Sequence, residues 1–325
     1  MTGAVCVIVA AHNAAATIGM AITSALAQSE VKEVIVVDDA STDATGTEAL
    51  RAGGNDPRLV LMRQDRNIGP AAARNLAISR STSPYIAVLD ADDHLLQGRF
   101  AHLLARPDWD LTADNIAFVA DTDSAGIPLD ESGHGRAQTL DLASFVRGNI
   151  TGIGPGRIEL GFLKPLMRRD FLVAHNLAYD PGLRLGEDYD LYVRALQKGA
   201  RFLMSRRVGY VARVRENSLS RQHGTADLRA LLDACDGHIA ATAATAPATL
   251  SALNAHRRQL RARVLLRVFL DRKAEAGIAA ALGFALGPPT NLPPIAVGVL
   301  ADKIRAIRGI RPVDVVGHSL LPLID

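Results

Sequence analysis

Three carboxylates fall within four residues at Asp90-Ala91-Asp92-Asp93, directly after the apolar run of residues 85–89. Acidic groups packed this closely repel one another, and burial pushes their pKa values up, so a cation is the economical partner. Oxygen-only ligands suit a hard divalent ion: Mg or Mn takes one or two carboxylates and completes its shell with water and phosphate oxygens. An Asp-x-Asp taken alone is more often a solvated acidic loop, but its place at the end of a strand favours a bound cation. A second acidic pair, Asp38-Asp39, ends the run 34–37 and leads into Ala40-Ser41-Thr42-Asp43. Ser41, Thr42 or Asp43 suffices to cap a following helix. Asp38 and Asp39 are then left over, and an exposed carboxylate there can accept a hydrogen bond from the imide of a uracil. Gly186-Glu187-Asp188 opens a third acidic segment. Acids favour a helix N-terminus on dipole grounds; the alternative is a carboxylate that takes a proton from an attacking hydroxyl.

The elements that must position these groups follow from periodicity. Short β-branched runs at 5–10, 34–37, 59–62 and 85–89 alternate with helical patterns at 15–27, 42–52 and 70–79. That βαβαβαβ order predicts an α/β fold, a mostly parallel sheet flanked by helices, with its ligand site beyond the carboxyl ends of the strands. A helix is expected near 95–104, another over 187–198 ending at Gly199, and strands at 201–204 and 208–213. Beyond about residue 225 the composition turns to Ala, Leu and Arg, and helices are expected at 227–246 and 250–274. The predicted organisation is therefore a domain at 1–225 and a C-terminal helical appendage at 226–325.

Taken in order, the chain carries Val9-Ala10-Ala11-His12-Asn13, the Asp38 to Asp43 segment, Asn67-Ile68-Gly69 with Ala73-Arg74-Asn75, Asp90-Ala91-Asp92-Asp93, Gly186-Glu187-Asp188 and Asn217-Ser218-Leu219-Ser220. This ordered set, spread over residues 4–222, resembles the family 2 glycosyltransferases of the GT-A fold. Phe162-Leu163-Lys164-Pro165-Leu166 through Gly186-Glu187-Asp188-Tyr189-Asp190-Leu191 is most similar to bacterial transferases of the succinoglycan-type exopolysaccharide class. The resemblance implies that Ala10 and Asp39 contact the uridine, with Asn13 in the same motif, and that Arg74 lies near the base or diphosphate. It implies Asp90 near the ribose or metal, Asp92 holding a divalent metal (Mg or Mn) on the diphosphate, Glu187 on the substrate and Asp188 as catalytic general base. One departure is that proline and tyrosine are common before Asn13, where this chain has Ala10 and His12. The implied reaction is an inverting, metal-dependent transfer of a hexose, glucose from UDP-glucose, to a glycan or lipid-linked saccharide. Near the usual site of the Gln-x-x-Arg-Trp motif that the family's processive synthases carry this chain has none, and its one Trp is Trp109, so the resemblance implies addition of one sugar per encounter.

Composition bounds these expectations. At 325 residues, with 48% hydrophobic and 22% charged side chains, the chain is neither disordered nor collagen-like. Two cysteines, Cys6 and Cys235, exclude a disulfide framework and a four-cysteine zinc site and fit a reducing cytosol. Aromatics at 4% argue against a base-stacking surface, so no nucleic-acid partner is expected. Residues 1–11 lack the basic start and small-residue cleavage site of a secretory signal, so export by that route is not expected. Gly152-Ile153-Gly154-Pro155-Gly156 lacks the spacing of a dinucleotide loop and fits an acceptor-side loop better. Asn149-Ile150-Thr151 matches a glycosylation sequon that a cytosolic chain would not use.

Residues 226–325 carry 12 basic and 8 acidic side chains, against 24 and 26 before them. Residues 276–301 carry no charge, and Pro288, Pro289, Pro293 and Pro294 break their centre, against a single spanning helix. The two apolar arms either pack on the protein or form a hairpin dipping into a membrane, and the basic helix before them either is solvated or rests on lipid. The expected location is the cytoplasm, at the inner face of the plasma membrane. Two rivals are a sugar-nucleotide nucleotidyltransferase, which would want a glycine-rich loop after the first strand where residues 10–16 offer none, and a non-catalytic nucleotide-sugar-binding protein.

Overall fold

The computed structural model describes residues 4–120, 137–150, 160–214, 224–307 and 319–320. The 121–136 stretch, the Gly152 to Gly156 run and the Asn217 to Ser220 segment lie outside them. The chain divides into two compact units, Met1–Arg215 with Gly317–Asp325, and Glu216–Val316.

In the first unit the alternation of short apolar runs and helices builds a mixed sheet. Its parallel half is β1 (Val5–Ala11), β2 (Val31–Asp38), β3 (Leu59–Arg63) and β4 (Tyr85–Val88), in the order β3-β2-β1-β4. β1 is buried along nearly its whole length, as a Val/Ile run covered on both faces by helices must be. The crossovers are α1 (Ile18–Leu26), α2 (Thr45–Gly53) and α3 (Pro70–Arg80). In α1 the side chains of Ile18, Ala21, Ile22 and Ala25 form the buried stripe that the 3.6-residue repeat demands. Pro70 opens α3 at a position whose N–H has no helical partner to lose.

After β4 the chain forms β5 (His94–Leu95), α4 (Arg99–Leu104), β6 (Leu111–Ala120), β7 (Gln138–Leu140), α5 (Leu142–Arg147), a 3-10 turn at Leu160–Phe162, β8 (Leu166–Arg168) and α6 (Arg169–Ala174). Then come α7 (Glu187–Gln197) and β9 (Phe202–Val214). β8 joins β4 and β6 antiparallel, β9 runs parallel to β6, and the order continues β4-β8-β6-β9-β5, with β10 (Ser319–Leu320) against β6. The predicted helix at 95–104 is shorter than expected. His94 and Leu95 pair with Val211 and Tyr210 before Gly98, at φ +73, lets the chain turn into α4. The two strands expected at 201–204 and 208–213 are one strand, irregular in register opposite Asn115.

The second unit is helical: α8 (Thr225–Ala241), α9 (Pro247–Leu286) and α10 (Leu292–Ile307). Leu228, Leu231 and Cys235 of α8 are buried, as is the apolar stripe Leu253, Leu260, Val264 and Val268 of α9. Antiparallel pairing of these helices is tied by Thr225 to Asp271 (2.5 Å) and Arg257 to Asp236 (2.5 Å). α9 reverses at Gly277, whose φ of +81 and ψ of 176 are open to glycine. The returning arm sets Ala281 and Ala285 with Phe269 and Ile295 in one small core, and Arg272 lies over the Phe284 ring at 4.7 Å. The apolar arms at 276–301 are thus helices folded against α9, and no described helix is long and apolar enough to cross a membrane.

Candidate active site

Asp38, Asp90 and Asp188 come from three distant parts of the chain, at the end of β2, after β4 and in the first turn of α7. β1, lying between β2 and β4, delivers Asn13 to the same edge. Asn13 adopts φ +51, and its side-chain oxygen accepts from the Thr42 N–H at 2.9 Å while its own N–H donates to Ser41 at 3.0 Å. Ala40 is also left-handed, at φ +57, a conformation an alanine adopts only where the surrounding loop imposes it.

The carboxylates at the end of β2 find backbone partners inside the chain, and Oδ2 of Asp38 is left without a hydrogen bond. Asp38 is fully buried and accepts from the Ser41 N–H at 3.0 Å. Asp39 is 3% exposed, and its two oxygens accept from the N–H groups of Ile68 (2.7 Å) and Gly69 (2.9 Å), joining the first two motifs to the Asn67-Ile68-Gly69 turn. Two of the four lone-pair positions of that carboxylate are thereby used. His12 sits beside it, Nδ1 2.8 Å from the Asp39 carbonyl oxygen, and Ala10 near the end of β1 is half-buried.

Arg74 gathers the acids. From the first turns of α3 its Nη1 donates to Glu187 at 2.7 Å and to Asp188 at 3.3 Å, and its Nη2 donates to Asp90 at 2.9 Å. Lys164, between the 3-10 turn and β8, mirrors it, with Nζ 2.6 Å from Asp188 and 3.0 Å from Asp90. Two cations therefore sit among three carboxylates. Burial opposes the charge on Asp90, but Lys164 and Arg74 outweigh it and hold the carboxyl down to about 2. The same burial would lower Lys164, and Asp188 with Asp90 raises it instead. Glu187 is pushed up by burial and by Asp188, against the pull of Arg74. Gly186 at φ +75 makes the turn that brings Glu187 and Asp188 to the start of α7.

The acidic loop after β4 is pinned from behind. The Tyr210 hydroxyl donates to Asp93 at 2.7 Å and accepts from the Asp90 N–H at 3.1 Å, and the Arg213 N–H donates to Asp93 at 2.9 Å. Burial and the charges of Asp90 and Asp92 push Asp93 well above the usual carboxylate range. Asp93 is a buried structural acid, whereas Asp92 is half-buried and Asp90 keeps a third of its side chain exposed. Among the described residues no three acidic, histidine or cysteine groups converge to enclose a metal. The donor chemistry still fits Mg or Mn, because Asp90 and Asp92 offer oxygen ligands only and a hard divalent ion would complete its shell with diphosphate and water.

Sequence reasoning singled out Arg74, Asp90, Glu187 and Asp188, and the structure brings all four together. It missed Lys164 as a site residue, although the resemblance had already marked the segment around it. It also missed Tyr210, which looks like any strand aromatic. Lys164 is held in turn by Arg99, whose Nη2 donates to the Lys164 carbonyl at 2.5 Å and whose guanidinium pairs with buried Asp114 at 2.9 Å.

This frame has known counterparts. Residues 6–130 match glycosyl transferase family 2. The chain is 47% identical over 311 residues to succinoglycan biosynthesis protein ExoU of Rhizobium meliloti (strain 1021), covering 94% of this chain and 89% of that protein. The chain belongs to the family 2 glycosyltransferases. Succinoglycan biosynthesis protein ExoO of the same organism is 39% identical over 218 residues, 66% of this chain and 62% of that one. Among solved structures, S. aureus TarS 1-349 in complex with UDP-GlcNAc superposes with a TM-score of 0.58 at 21% identity, over 93% of this chain and 81% of that one. Mannosyltransferase PcManGT from Pyrobaculum calidifontis with GDP-Man and Mn2+ gives 0.57 at 19%, over 96% and 89%. At such identities the likeness is one of fold, and the fold is GT-A.

Proposed function

We propose that this glycosyltransferase moves glucose from UDP-glucose, with inversion, to a glycan or lipid-linked saccharide in exopolysaccharide assembly at the inner face of the membrane. The similarity to the two succinoglycan biosynthesis proteins supports the pathway class. The UDP-GlcNAc complex of a like-folded protein is in keeping with a uridine donor. The observation that carries the chemistry is the sharing of Arg74 and Lys164 between Asp188 and Asp90, which ties the α7 carboxylate to the loop after β4.

Ala10, Asn13 and Asp39 line the uridine side, where the unused lone pairs of Asp39 accept from the uracil imide. Asp90 lies toward the ribose, Asp92 is the metal ligand and Glu187 orients the sugar. Asp188 takes the proton of the acceptor hydroxyl as that oxygen bonds to the anomeric carbon and the bond to the diphosphate breaks. The entering diphosphate competes for the cations on Arg74 and Lys164, which eases their hold on Asp188 and places positive charge where the leaving group becomes more negative. A divalent ion bound at Asp92 supplies Lewis-acid stabilisation to the same leaving group. One sugar is transferred per encounter.

Two measurements test this reading. Asp188→Asn should lower transfer at least ~100-fold, the scale of a positioned base, while calorimetry finds donor binding largely intact; transfer at the wild-type rate removes Asp188 as the base. In a thermal-shift panel with Mg or Mn, UDP-glucose should raise the melting temperature most. Stabilisation by GDP-sugars and not by UDP-sugars would overturn the donor.

A further inference from the structure

Ten large apolar side chains are exposed among the described residues, and seven of them lie between Ile278 and Ile304. That clustering marks a surface rather than scatter. Ile278, Leu282 and Leu286 recur every fourth residue on the returning arm of α9, about a quarter-turn from the Ala281 and Ala285 face that packs inward. Val297, Leu300 and Ile304 lie roughly opposite Ile295, the inward residue of α10. Both arms therefore spend one face on the part of α9 before Gly277 and, among the described residues, keep a second apolar face exposed.

The chemistry of that face selects its occupant. Between residues 276 and 301 the polar side chains are Thr290 and Asn291, each turned in part toward the unit's own helices: Thr290 accepts from Arg261 at 3.3 Å and Asn291 donates to the Phe284 carbonyl at 3.2 Å. A protein interface carries about one hydrogen bond per 100–200 Å2 and a polar rim, and two polar side chains in 26 residues are too few to supply them. Hydrocarbon asks for none. Charge points the same way. From Pro247 to Ile307 there are nine Arg or Lys against three Asp or Glu, and the exposed Arg272, Lys273 and Lys303 flank the uncharged arms. An apolar face bordered by cations matches a bilayer surface with anionic headgroups.

We infer that the hairpin of α9 and α10 is a docking surface for an anionic membrane leaflet, lying in the interface without crossing it. It gives the membrane-face location proposed above a specific surface, and its binding is read without turnover. The full chain should float with vesicles of phosphatidylcholine plus phosphatidylglycerol, less with phosphatidylcholine alone, and less as salt rises. Leu286→Glu with Leu300→Glu should cut partitioning at least ~tenfold while the circular dichroism spectrum, melting temperature and UDP-glucose binding stay at wild-type values. Arg272→Gln with Lys273→Gln should weaken binding to the anionic vesicles alone. Equal flotation of the glutamate variant, or none by the wild type, overturns the inference. So does a wild-type dimer in light scattering that the glutamate pair dissociates, since a second copy would then be what covers the face. Failure of every UDP-sugar to bind would sink the donor reading and leave the flotation result standing.

Discussion

At the scale of single residues, Lys164 is the side chain on which the site's electrostatics turn. It is 5% exposed and touches both Asp188 and Asp90, so removing its charge leaves buried Asp188 and partly exposed Asp90 with Arg74 as their shared cation. Breaking a buried pair from one side destabilises by about 3–5 kcal/mol, because the remaining charge keeps its desolvation penalty. Lys164→Met, close in volume, should show a loss of that order in urea denaturation together with a fall in transfer rate. Lys164→Arg should recover part of the stability, since the cation is kept while its geometry changes. A Met variant as stable as the wild type would mean that Arg74 alone neutralises the cluster. Arg74 itself is buried beside the Tyr179 ring at 5.3 Å, so it too is built in and is no mobile surface charge.

At the scale of elements, β9 and α4 brace the site through a contact with no spare room. A Cβ built on Gly209 would stand 1.7 Å from the Asp114 carboxylate and 2.8 Å from the Arg99 side chain. The glycine at this point of β9 exists so that the Arg99–Asp114 pair can lie against the strand, and that pair holds the backbone of Lys164. Gly209→Ala should therefore destabilise by about 1–3 kcal/mol through overpacking. Its effect on transfer should exceed that of a neutral strand substitution, because the displaced pair carries Lys164 with it. Unfolding midpoints and transfer rates of the variant, compared side by side, check both parts.

At the scale of the whole molecule, the two units have separate cores and separate sensitivities to pH. His256, 5% exposed in the helical unit, is lowered to about 4 by burial and by the charges of Arg263 and His238. Well above pH 6.5 the imidazole is neutral in both folded and unfolded chains and contributes no pH dependence. As pH falls from about 6.5 to about 4 the unfolded chain takes up a proton that the native fold refuses, so stability drops, by about 3 kcal/mol in all, and levels off below. His256→Asn should flatten this part of the curve, read as the difference between variant and wild type in urea melts over pH 7.5 to 4.5. Identical slopes would show that the imidazole titrates normally.

How much of this was legible beforehand follows from the range of the forces involved. The parallel half of the sheet was readable because each βαβ step is written locally: a β-branched run, a helical stripe, and a turn residue such as Gly69 at φ +83 before Pro70. The acids after the strands were readable for the same reason, since a carboxylate at a strand end has a place before it has a partner. The antiparallel part was less so. β5 is two residues long and owes its existence to pairing with β9, which no local period announces. The partners of the acids were hidden altogether. Asp39 turned out to bind the backbone of residues 68 and 69, and Lys164 to bridge Asp90 and Asp188. By itself the amino-acid order determined which elements form and which chemical groups stand at their ends. Tertiary structure alone decided which cation neutralises which carboxylate and which apolar faces of the described residues stay exposed, because those contacts depend on distances between segments as much as 114 residues apart that local periodicity does not encode.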